Sequence, residues 1–357
     1  MAIPFLTNED MPSPTLSGPL INSSSIAPNS FVPTNSSFDV NGTTLPALDG
    51  ACAFKPLHKS SIFLLTIAYS SIIVVSAIGN AMVIRHAVAR RKLRRSFDRL
   101  IINMAVADLL DTIFGVPYNI SYFYIGLRWF PGTLGEFTCK FLNFGTNISI
   151  TASVFTLAAI AVDRYFAIAH CAKRPLSLRS VRYIIATIWV IACMVFSSDY
   201  YRFRVIDGPN GDVYCVQDAN AWGKKAVQID YIVKFVLNYA FPLFAMGILY
   251  SIMIRYLWQT RGPGYASDSI ERRVHEQRKR SVKKLLAIVI EFAFCWFPIH
   301  VVHFLAAFNP KLLFCTSVYV PLTCIWLAHA NSAINPCLYL YLTHKNRKAN
   351  VKPSATF

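Results

Sequence analysis

The chain has 357 residues, of which 54% are hydrophobic and only 15% are charged, and its mean hydropathy is +0.42. Soluble domains carry about 25% charged residues, so this composition excludes an ordinary soluble protein and indicates one that crosses a membrane several times. The net charge of +17 would suggest a nucleic-acid partner in a soluble protein. Here the basic residues lie in alternate loops, which is typical of a membrane protein whose cytoplasmic loops are enriched in Arg and Lys.

The first 50 residues are rich in Ser, Pro, Asn and Thr and carry few charges, a composition typical of disorder. They lack the basic start and long apolar core of a cleavable signal peptide, so we expect the first apolar segment to act as the insertion signal. Three sequons begin at Asn22, Asn35 and Asn41 and would carry glycans on an extracellular tail. We therefore expect a disordered, glycosylated extracellular tail over residues 1–58.

Long apolar segments follow this tail, each long enough to cross a bilayer as a helix and too long for a strand of a barrel. They are residues 59–87, 98–124, 137–169, 180–199, 226–257, 283–307 and 316–342. Clusters of Arg and Lys follow the first, third and seventh segments and precede the sixth, which places these loops in the cytoplasm and the N-terminus outside. The sequence thus predicts an all-α, seven-transmembrane helix bundle over residues 59–342 and a short basic cytoplasmic tail over residues 343–357.

The third segment has a cysteine at its start and a charged pair at its end. As a helix, the 25 steps from Cys139 to Arg164 would cover roughly 37 Å, more than the ~30 Å hydrocarbon core of a bilayer. Cys139 should therefore emerge at one membrane face and Asp163 and Arg164 at the other. A residue pair placed to meet a cytosolic partner, on a helix that begins outside, indicates a protein that carries a signal across the membrane.

The outer side of the chain carries the cysteines that can pair, since disulfides form in an oxidising environment. Of nine cysteines, Cys52, Cys139, Cys215 and Cys315 fall in or beside outside segments. We expect a Cys139–Cys215 disulfide and, as a weaker proposal, Cys52–Cys315, because sequence alone does not fix the connectivity.

The second outside loop, from about residue 200 to residue 231, contains two short β-prone runs around a Gly/Pro/Asn turn. The runs extend from Arg202 to Ile206 and from Val213 to Val216. This pattern predicts a β-hairpin, which Cys215 would tether to the start of the third segment.

An ordered set of motifs, one for each segment, brings a family into view. The motifs are Gly79-Asn80, the run Asn103 to Asp108, Cys139 with Asp163-Arg164-Tyr165, Trp189, Pro242, Cys295-Trp296-Phe297-Pro298 and Asn335-Pro336-Cys337-Leu338-Tyr339. Together they resemble the rhodopsin-like G-protein-coupled receptors, over residues 59 to 345. The resemblance implies a multi-pass plasma-membrane receptor rather than an enzyme. It also implies that an extracellular ligand activates a heterotrimeric G protein through outward movement of the sixth helix, with arrestin and receptor kinase as further partners and membrane lipid around the bundle.

The resemblance assigns roles in activation and coupling to a set of matching residues. Arg164 is held by Asp163 at rest and contacts the G protein when the helices separate, and Pro298 kinks the sixth helix beside Trp296. The set is Asp163, Arg164, Tyr165, Tyr250, Phe292, Trp296, Pro298, Asn335, Pro336 and Tyr339.

A set of polar residues in mid-membrane matches the allosteric sodium site of the family. An ionised Asp at this depth is energetically costly, so such a residue usually has a functional role. The residues are Asp108, Ser153, Asn331, Ser332 and Asn335; oxygen ligands around a carboxylate suit this hard cation. No other cofactor or metal is expected. Glu291 is a second unusual acid, which either biases the resting equilibrium or finds a polar neighbour.

Two positions lack the residues by which amine receptors and opsins of this family bind their ligands, and this narrows the ligand class. Receptors for amines carry an Asp where this chain has Thr146, and opsins carry a retinal-binding lysine where it has His329. Together with the predicted hairpin, this favours a peptide ligand, as in the neuropeptide receptor group. A small-molecule or lipid ligand and a non-coupling decoy receptor remain alternatives, the last because Cys171 and Ala172 depart from the family pattern. A transporter would show inverted repeats, and none is evident.

Candidate ligand-binding residues lie in the outer halves of the segments and in the first outside loop. They are Tyr118, Trp129, Thr146, Asn147, Lys234, Trp296, His300, His303 and His329. Lys234 stands out because an unpaired ammonium two turns into a segment is costly. We expect it either to pair with an acidic ligand group or to extend to the interface.

Overall fold

The computed structural model describes residues 57–89, 96–169, 177–208, 211–218, 223–259 and 269–351. Long helices make up most of this part of the chain. They are α1 (Lys59–Ala89), α2 (Ser96–Ile125), α3 (Gly132–Ala169), α4 (Leu178–Arg202), α5 (Lys224–Gln259), α6 (Ser269–Phe308) and α7 (Tyr319–Val351), with a five-residue helix at Pro310–Phe314. Each predicted apolar segment corresponds to one of these long helices.

Six of the helices, α1 to α6, are long and apolar enough to cross a membrane. The helix α7 carries buried polar residues at His329, Asn331, Ser332 and Asn335, which lower its mean hydropathy. Two helices also extend beyond their apolar segments: α6 begins at Ser269 and α7 continues to Val351. Basic and polar residues such as Arg, Lys and Gln are good helix formers, so a helix continues where hydropathy falls.

The bundle is organised around α3, which packs against α2, α4 and α5. The helix α7 packs against α1, α2 and α6, and so closes the bundle on the other side. Large apolar side chains such as Phe63, Phe244 and Phe294 remain exposed on the outside of the helices. Exposure of this kind is expected where lipid, rather than water, surrounds a helix.

A two-stranded antiparallel sheet follows α4, with strand β1 at Phe203–Asp207 and strand β2 at Val213–Gln217. Val205 lies opposite Cys215, and a Cys139–Cys215 disulfide joins β2 to α3 with the two Cα atoms 5.7 Å apart. The hairpin and this disulfide are both confirmed. Arg202, expected to open the first strand, instead ends α4.

One turn of α5, Val236–Ala240, is wound as a π-helix. Pro242 follows it and lacks the amide hydrogen that a regular helix would donate to the carbonyl of Asn238. The wider turn accommodates this loss. It also places Asn238 and Tyr239 in the bundle interior, where the Tyr239 hydroxyl donates to the carbonyl of Ala293 on α6 at 2.8 Å.

Several predictions concern residues outside the described part of the chain. The sequons at Asn22, Asn35 and Asn41 are there, as are Cys171 and Ala172. Cys315 is disulfide-bonded, but Cys52 lies outside the described residues, so its pairing with Cys315 stays a prediction.

Candidate functional site

A cavity lies between α3, α4, α5 and α6, and residues at the ends of the β-hairpin form part of its wall. Five of the residues predicted to bind ligand line it: Asn147, Lys234, Trp296, His300 and His303. The remaining lining residues are Ile150, Thr151, Val154, Phe196, Asp199, Phe203, Gln217, Tyr231, Phe235, Asn238, Phe292 and Phe304. The wall is therefore rich in aromatic rings, with a few polar groups set among them, as is usual for ligand pockets.

The other predicted ligand residues lie outside this lining. Tyr118 packs on Trp129, with 5.5 Å between ring centroids, beside the Cys139–Cys215 disulfide. The Thr146 hydroxyl donates to the carbonyl of Leu142 at 2.7 Å.

Lys234 is not the unpaired ammonium that the sequence suggested. Its Nζ lies 2.6 Å from a carboxylate oxygen of Asp199 and 2.6 Å from one of Asp230. Arg202 Nη1 also contacts Asp230, at 2.7 Å. Two cations and two anions thus form one ion-pair network between α4 and α5.

The two carboxylates of this network are also hydrogen-bonded by neutral side chains. Asn147 Nδ2 on α3 donates to Asp199 Oδ2 at 2.9 Å, and the Ser198 hydroxyl donates to Asp230 Oδ1 at 3.0 Å. Buried ion pairs offset the cost of leaving water only when such additional bonds are made.

Three polar atoms of the lining are buried and have no hydrogen-bond partner within the described residues. They are Asn147 Oδ1, Asn238 Oδ1 and Trp296 Nε1. Buried polar atoms are nearly always paired in folded proteins. A water molecule or a ligand in the cavity would be needed to pair them.

Deeper in the bundle, the residues expected to hold sodium are divided among three carboxyl groups. Asp108 accepts a hydrogen bond from Ser153 Oγ at 2.6 Å and one from Asn335 Nδ2 at 3.3 Å. Two other members of the set bond elsewhere: Asn331 Nδ2 donates to Glu291 at 2.9 Å, and Ser332 Oγ donates to Asp111 at 2.8 Å. Glu291 has therefore found polar neighbours, and Asp111 joins the group.

The group of residues around Asp108 fits a hard cation. It offers carboxylate, hydroxyl and amide oxygens, and Asn335 Oδ1 is buried with no hydrogen-bond partner within the described residues.

His329 pairs with Asp111 rather than with the cavity. Its Nδ1 lies 3.1 and 3.2 Å from the two Asp111 oxygens, and Asn119 Nδ2 lies 3.2 Å from its Nε2. Asn119 Nδ2 also donates to the Gly115 carbonyl, so Nε2 accepts and Nδ1 carries the proton. The contact needs Gly115 on α2, because a Cβ there would lie 2.6 Å from His329 Cε1.

The comparisons with known proteins agree with this architecture. The family model for seven-transmembrane receptors of the rhodopsin family matches residues 79–339. The chain belongs to this family.

Individual relatives are receptors for substance K or substance P by name. The bovine (Bos taurus) substance-K receptor is 31% identical to this chain over 321 residues, which cover 88% of this chain and 79% of the relative. The substance-P receptor of the dog (Canis lupus familiaris) is 31% identical over 289 residues, covering 80% and 69%. The substance-P receptor of Aquarana catesbeiana is 32% identical over 292 residues, also covering 80% and 69%. The resemblance seen in the motifs is thereby confirmed, and the receptor is a multi-pass membrane protein and not an enzyme.

The opposite end of the receptor holds the predicted coupling residues. Arg164 Nε lies 3.0 Å from Asp163 Oδ2, and the Ser96 hydroxyl donates to Asp163 Oδ1 at 2.6 Å. The Arg164 guanidinium also lies 4.4 Å from the ring centroid of Phe97 on α2, while Tyr165 is half-buried beside the pair. Arg164 is thus held within α3 and against α2.

The remaining predicted activation residues lie on α5, α6 and α7. Phe292 lies one turn from Trp296 on α6, with 6.2 Å between ring centroids, and Pro298 follows in the same helix. Tyr250 on α5 is fully buried. On α7, Pro336 packs so closely on Gly79 that a Cβ there would lie 2.9 Å from the proline ring.

Lys284, about four turns into α6, is buried against α7. Its Nζ lies 3.2 Å from the ring centroid of Tyr339 and donates to the Thr343 hydroxyl. This contact ties α6 to the segment of α7 that carries Tyr339.

Four charged residues of the interior escaped the sequence reasoning: Asp111, Asp199, Arg202 and Asp230. The signal was present, because an ionisable residue inside an apolar segment is a candidate functional residue with a partner to be found. Most of their partners lie on other helices and could not be read from spacing along the chain. Asp230 and Lys234 are the exception, since they lie four residues apart on α5, a spacing that itself predicts a pair.

Proposed function

We propose that this receptor binds an extracellular peptide in the α3–α6 cavity and activates a heterotrimeric G protein at the Asp163–Arg164 end. The observation that carries the proposal is that Trp296 and Phe292 on α6 both line the cavity, so a ligand would bear directly on the helix that must move. The relatives named as substance-K and substance-P receptors support a peptide as the ligand.

In the proposed mechanism, the end of the peptide presses on Trp296 beside the Pro298 kink. A proline removes a backbone hydrogen bond and makes a hinge, so the cytoplasmic half of α6 swings outward. Lys284 then leaves Tyr339, and Arg164 exchanges Asp163 for the G protein. An arginine suits this exchange because it keeps its charge and offers five donors.

We also propose an allosteric sodium ion in the inactive receptor. Asp108, Ser153 and Asn335 would hold it, with Asn331 and Ser332 completing the set by giving up Glu291 and Asp111. The ion would supply positive charge among carboxyl groups that have no bonded Lys or Arg within the described residues.

The sodium site is tested by measuring agonist affinity in buffers that contain either sodium or choline. Exchanging sodium for choline should raise agonist affinity in the wild-type receptor and leave the affinity of the Asp108→Asn variant unchanged. A variant that keeps full sodium sensitivity would contradict the assignment.

The function is tested by measuring G-protein activation in cells that express the chain with several Gα subtypes. The cells are exposed to a library of neuropeptides, amines and lipids, and Arg164→Ala is measured in parallel. We expect a peptide to activate the wild type and not the variant. An amine or lipid response would replace the ligand class, and silence towards every class with normal surface expression would favour a decoy, to be followed by an arrestin-recruitment assay.

A further inference from the structure

The unpartnered atoms of the cavity define what the ligand must offer, provided that the proposed function is right. Among the lining residues, Asn147 and Asn238 each carry a buried carbonyl oxygen without a partner in the described residues, and Trp296 carries one such N–H group. The two amides cannot be reversed. Asn147 Nδ2 donates to a carboxylate and Asn238 Nδ2 donates to the Lys234 carbonyl, and both of these oxygens only accept. The lining therefore asks mainly for hydrogen-bond donors.

An acidic ligand group, one of the two sequence-based expectations for Lys234, fits this lining poorly. The Lys234 ammonium already contacts two carboxylates at 2.6 Å each. A ligand carboxylate there would lie beside Asp199 and would face carbonyl oxygens that it cannot bond. Like charges in a poorly solvated site repel strongly.

The charge of the surrounding bundle also favours a cation. Acidic side chains from the cavity down to the polar interior are Asp108, Asp111, Asp199, Asp230 and Glu291, and the charged bases bonded to them within the described residues are Lys234 and Arg202, while Asp111 is bonded to His329. One sodium ion at Asp108 would leave the acids in excess. Among the described residues, Asp199 is the acid that lines the cavity itself, and a carboxylate in a cleft with low-dielectric walls attracts cations.

Aromatic rings in the lining also favour a cation. Trp296, Tyr231 and Phe235 line the same cavity as the two amide carbonyls, and the face of such a ring attracts a flat cation. A guanidinium is planar, always charged and carries five donors. We infer that this cavity binds a guanidinium group of the peptide, the side chain of an arginine, between the carbonyl oxygens of Asn147 and Asn238.

The test uses the full chain, purified in phospholipid nanodiscs, and three blocked amino acids as probes. They are acetyl-arginine amide, acetyl-citrulline amide and acetyl-glutamate amide, so that citrulline keeps the shape of arginine without its charge. Binding is titrated by saturation-transfer NMR on the acetyl methyl protons, which all three share. We expect the arginine probe to bind most tightly, the citrulline probe more weakly and the glutamate probe not at all.

Variants then locate the site. Asn147→Leu and Asn238→Leu should each weaken the arginine probe by about tenfold, as expected for a hydrogen bond to a charged group. Asn143→Leu is the matched control. Asn143 lies one turn away on α3 and also has an unpartnered, buried Oδ1 within the described residues, but it is not in the lining; its variant should bind as the wild type does.

Equal binding of the three probes, preference for glutamate, absence of binding, or unchanged affinity in both lining variants would each overturn the inference. The readout needs no signalling. If the arginine probe binds as expected while no peptide activates the receptor, the proposed function fails and the guanidinium site stands. If a peptide without arginine activates fully and the probe does not bind, the reverse holds.

Discussion

Lys234 and Asp199 form an ion pair inside the bundle. Removing either side chain would leave the charge of the other buried and unpaired. Their side chains are 12% and 4% exposed, so breaking the pair should cost about 3 kcal/mol or more. We expect Lys234→Met to lower the thermal unfolding temperature of the purified receptor. The double variant Lys234→Met/Asp199→Asn should recover part of the loss, because it removes the orphaned charge as well.

This expectation changes how a signalling result at Lys234 is interpreted. A fall in agonist potency in Lys234→Met could come from a lost ligand contact or from a disturbed α4–α5 network. A Lys234→Met receptor that unfolds at the wild-type temperature would contradict the ion-pair account and return Lys234 to the role of a direct ligand contact.

Gly115 carries a second prediction at this scale. A Cβ would lie 2.6 Å from His329 Cε1 and 2.9 Å from Thr146 Cγ2, both of which are buried. We expect Gly115→Ala to destabilise the receptor by about 1–3 kcal/mol, the usual cost of overpacking, measured as a lower unfolding temperature. Gly247→Ala is the control, because a Cβ at that position would have nothing within 4 Å and alanine favours a helix; an equal effect of the two changes would contradict the packing argument.

Among the elements, α6 and α7 are joined by Lys284. The contact over the Tyr339 ring, at 3.2 Å, holds α6 against α7 and opposes its outward movement. A cation–π contact contributes about 1 kcal/mol, so Lys284→Met should raise basal G-protein activation about fivefold.

Lys283→Met is the control for this variant, because Lys283 is the exposed neighbour of Lys284. Basal activity should be unchanged in Lys283→Met at matched surface expression. Equal basal activity in wild type and Lys284→Met would show that the contact does not restrain α6.

The elements themselves were largely predictable from sequence, and the reasons are physical. Each apolar segment became a helix because an unpaired backbone cannot lie in lipid, and the two β-prone runs after α4 became the hairpin. The π-helical turn in α5 was not foreseen, since Pro242 alone marks only a lost hydrogen bond. The site was half predictable: motif positions such as Asp108, Arg164 and Trp296 follow from the family, but the pairing of Lys234 with Asp199 depends on how α4 and α5 pack.

For the whole molecule, the distribution of basic residues predicts the orientation in the membrane. An N-terminal epitope tag should be stained on intact cells, and a C-terminal tag only after permeabilisation, because clusters of Arg and Lys stay on the cytoplasmic side. Staining of the C-terminal tag on intact cells would reverse the topology and with it the assignment of the cavity to the outer side.

The π-helical turn also has an evolutionary consequence. Successive residues of an α-helix are rotated by about 100°, so deletion of one residue between Val236 and Ala240 would turn the N-terminal half of α5 by that angle relative to the rest of the helix. Lys234 would leave the wall and its partner Asp230 would turn with it, while Tyr250 and the C-terminal half kept their register. A single-codon deletion could thus exchange the ligand preference of this lineage in one step without altering the surface that meets the intracellular partner.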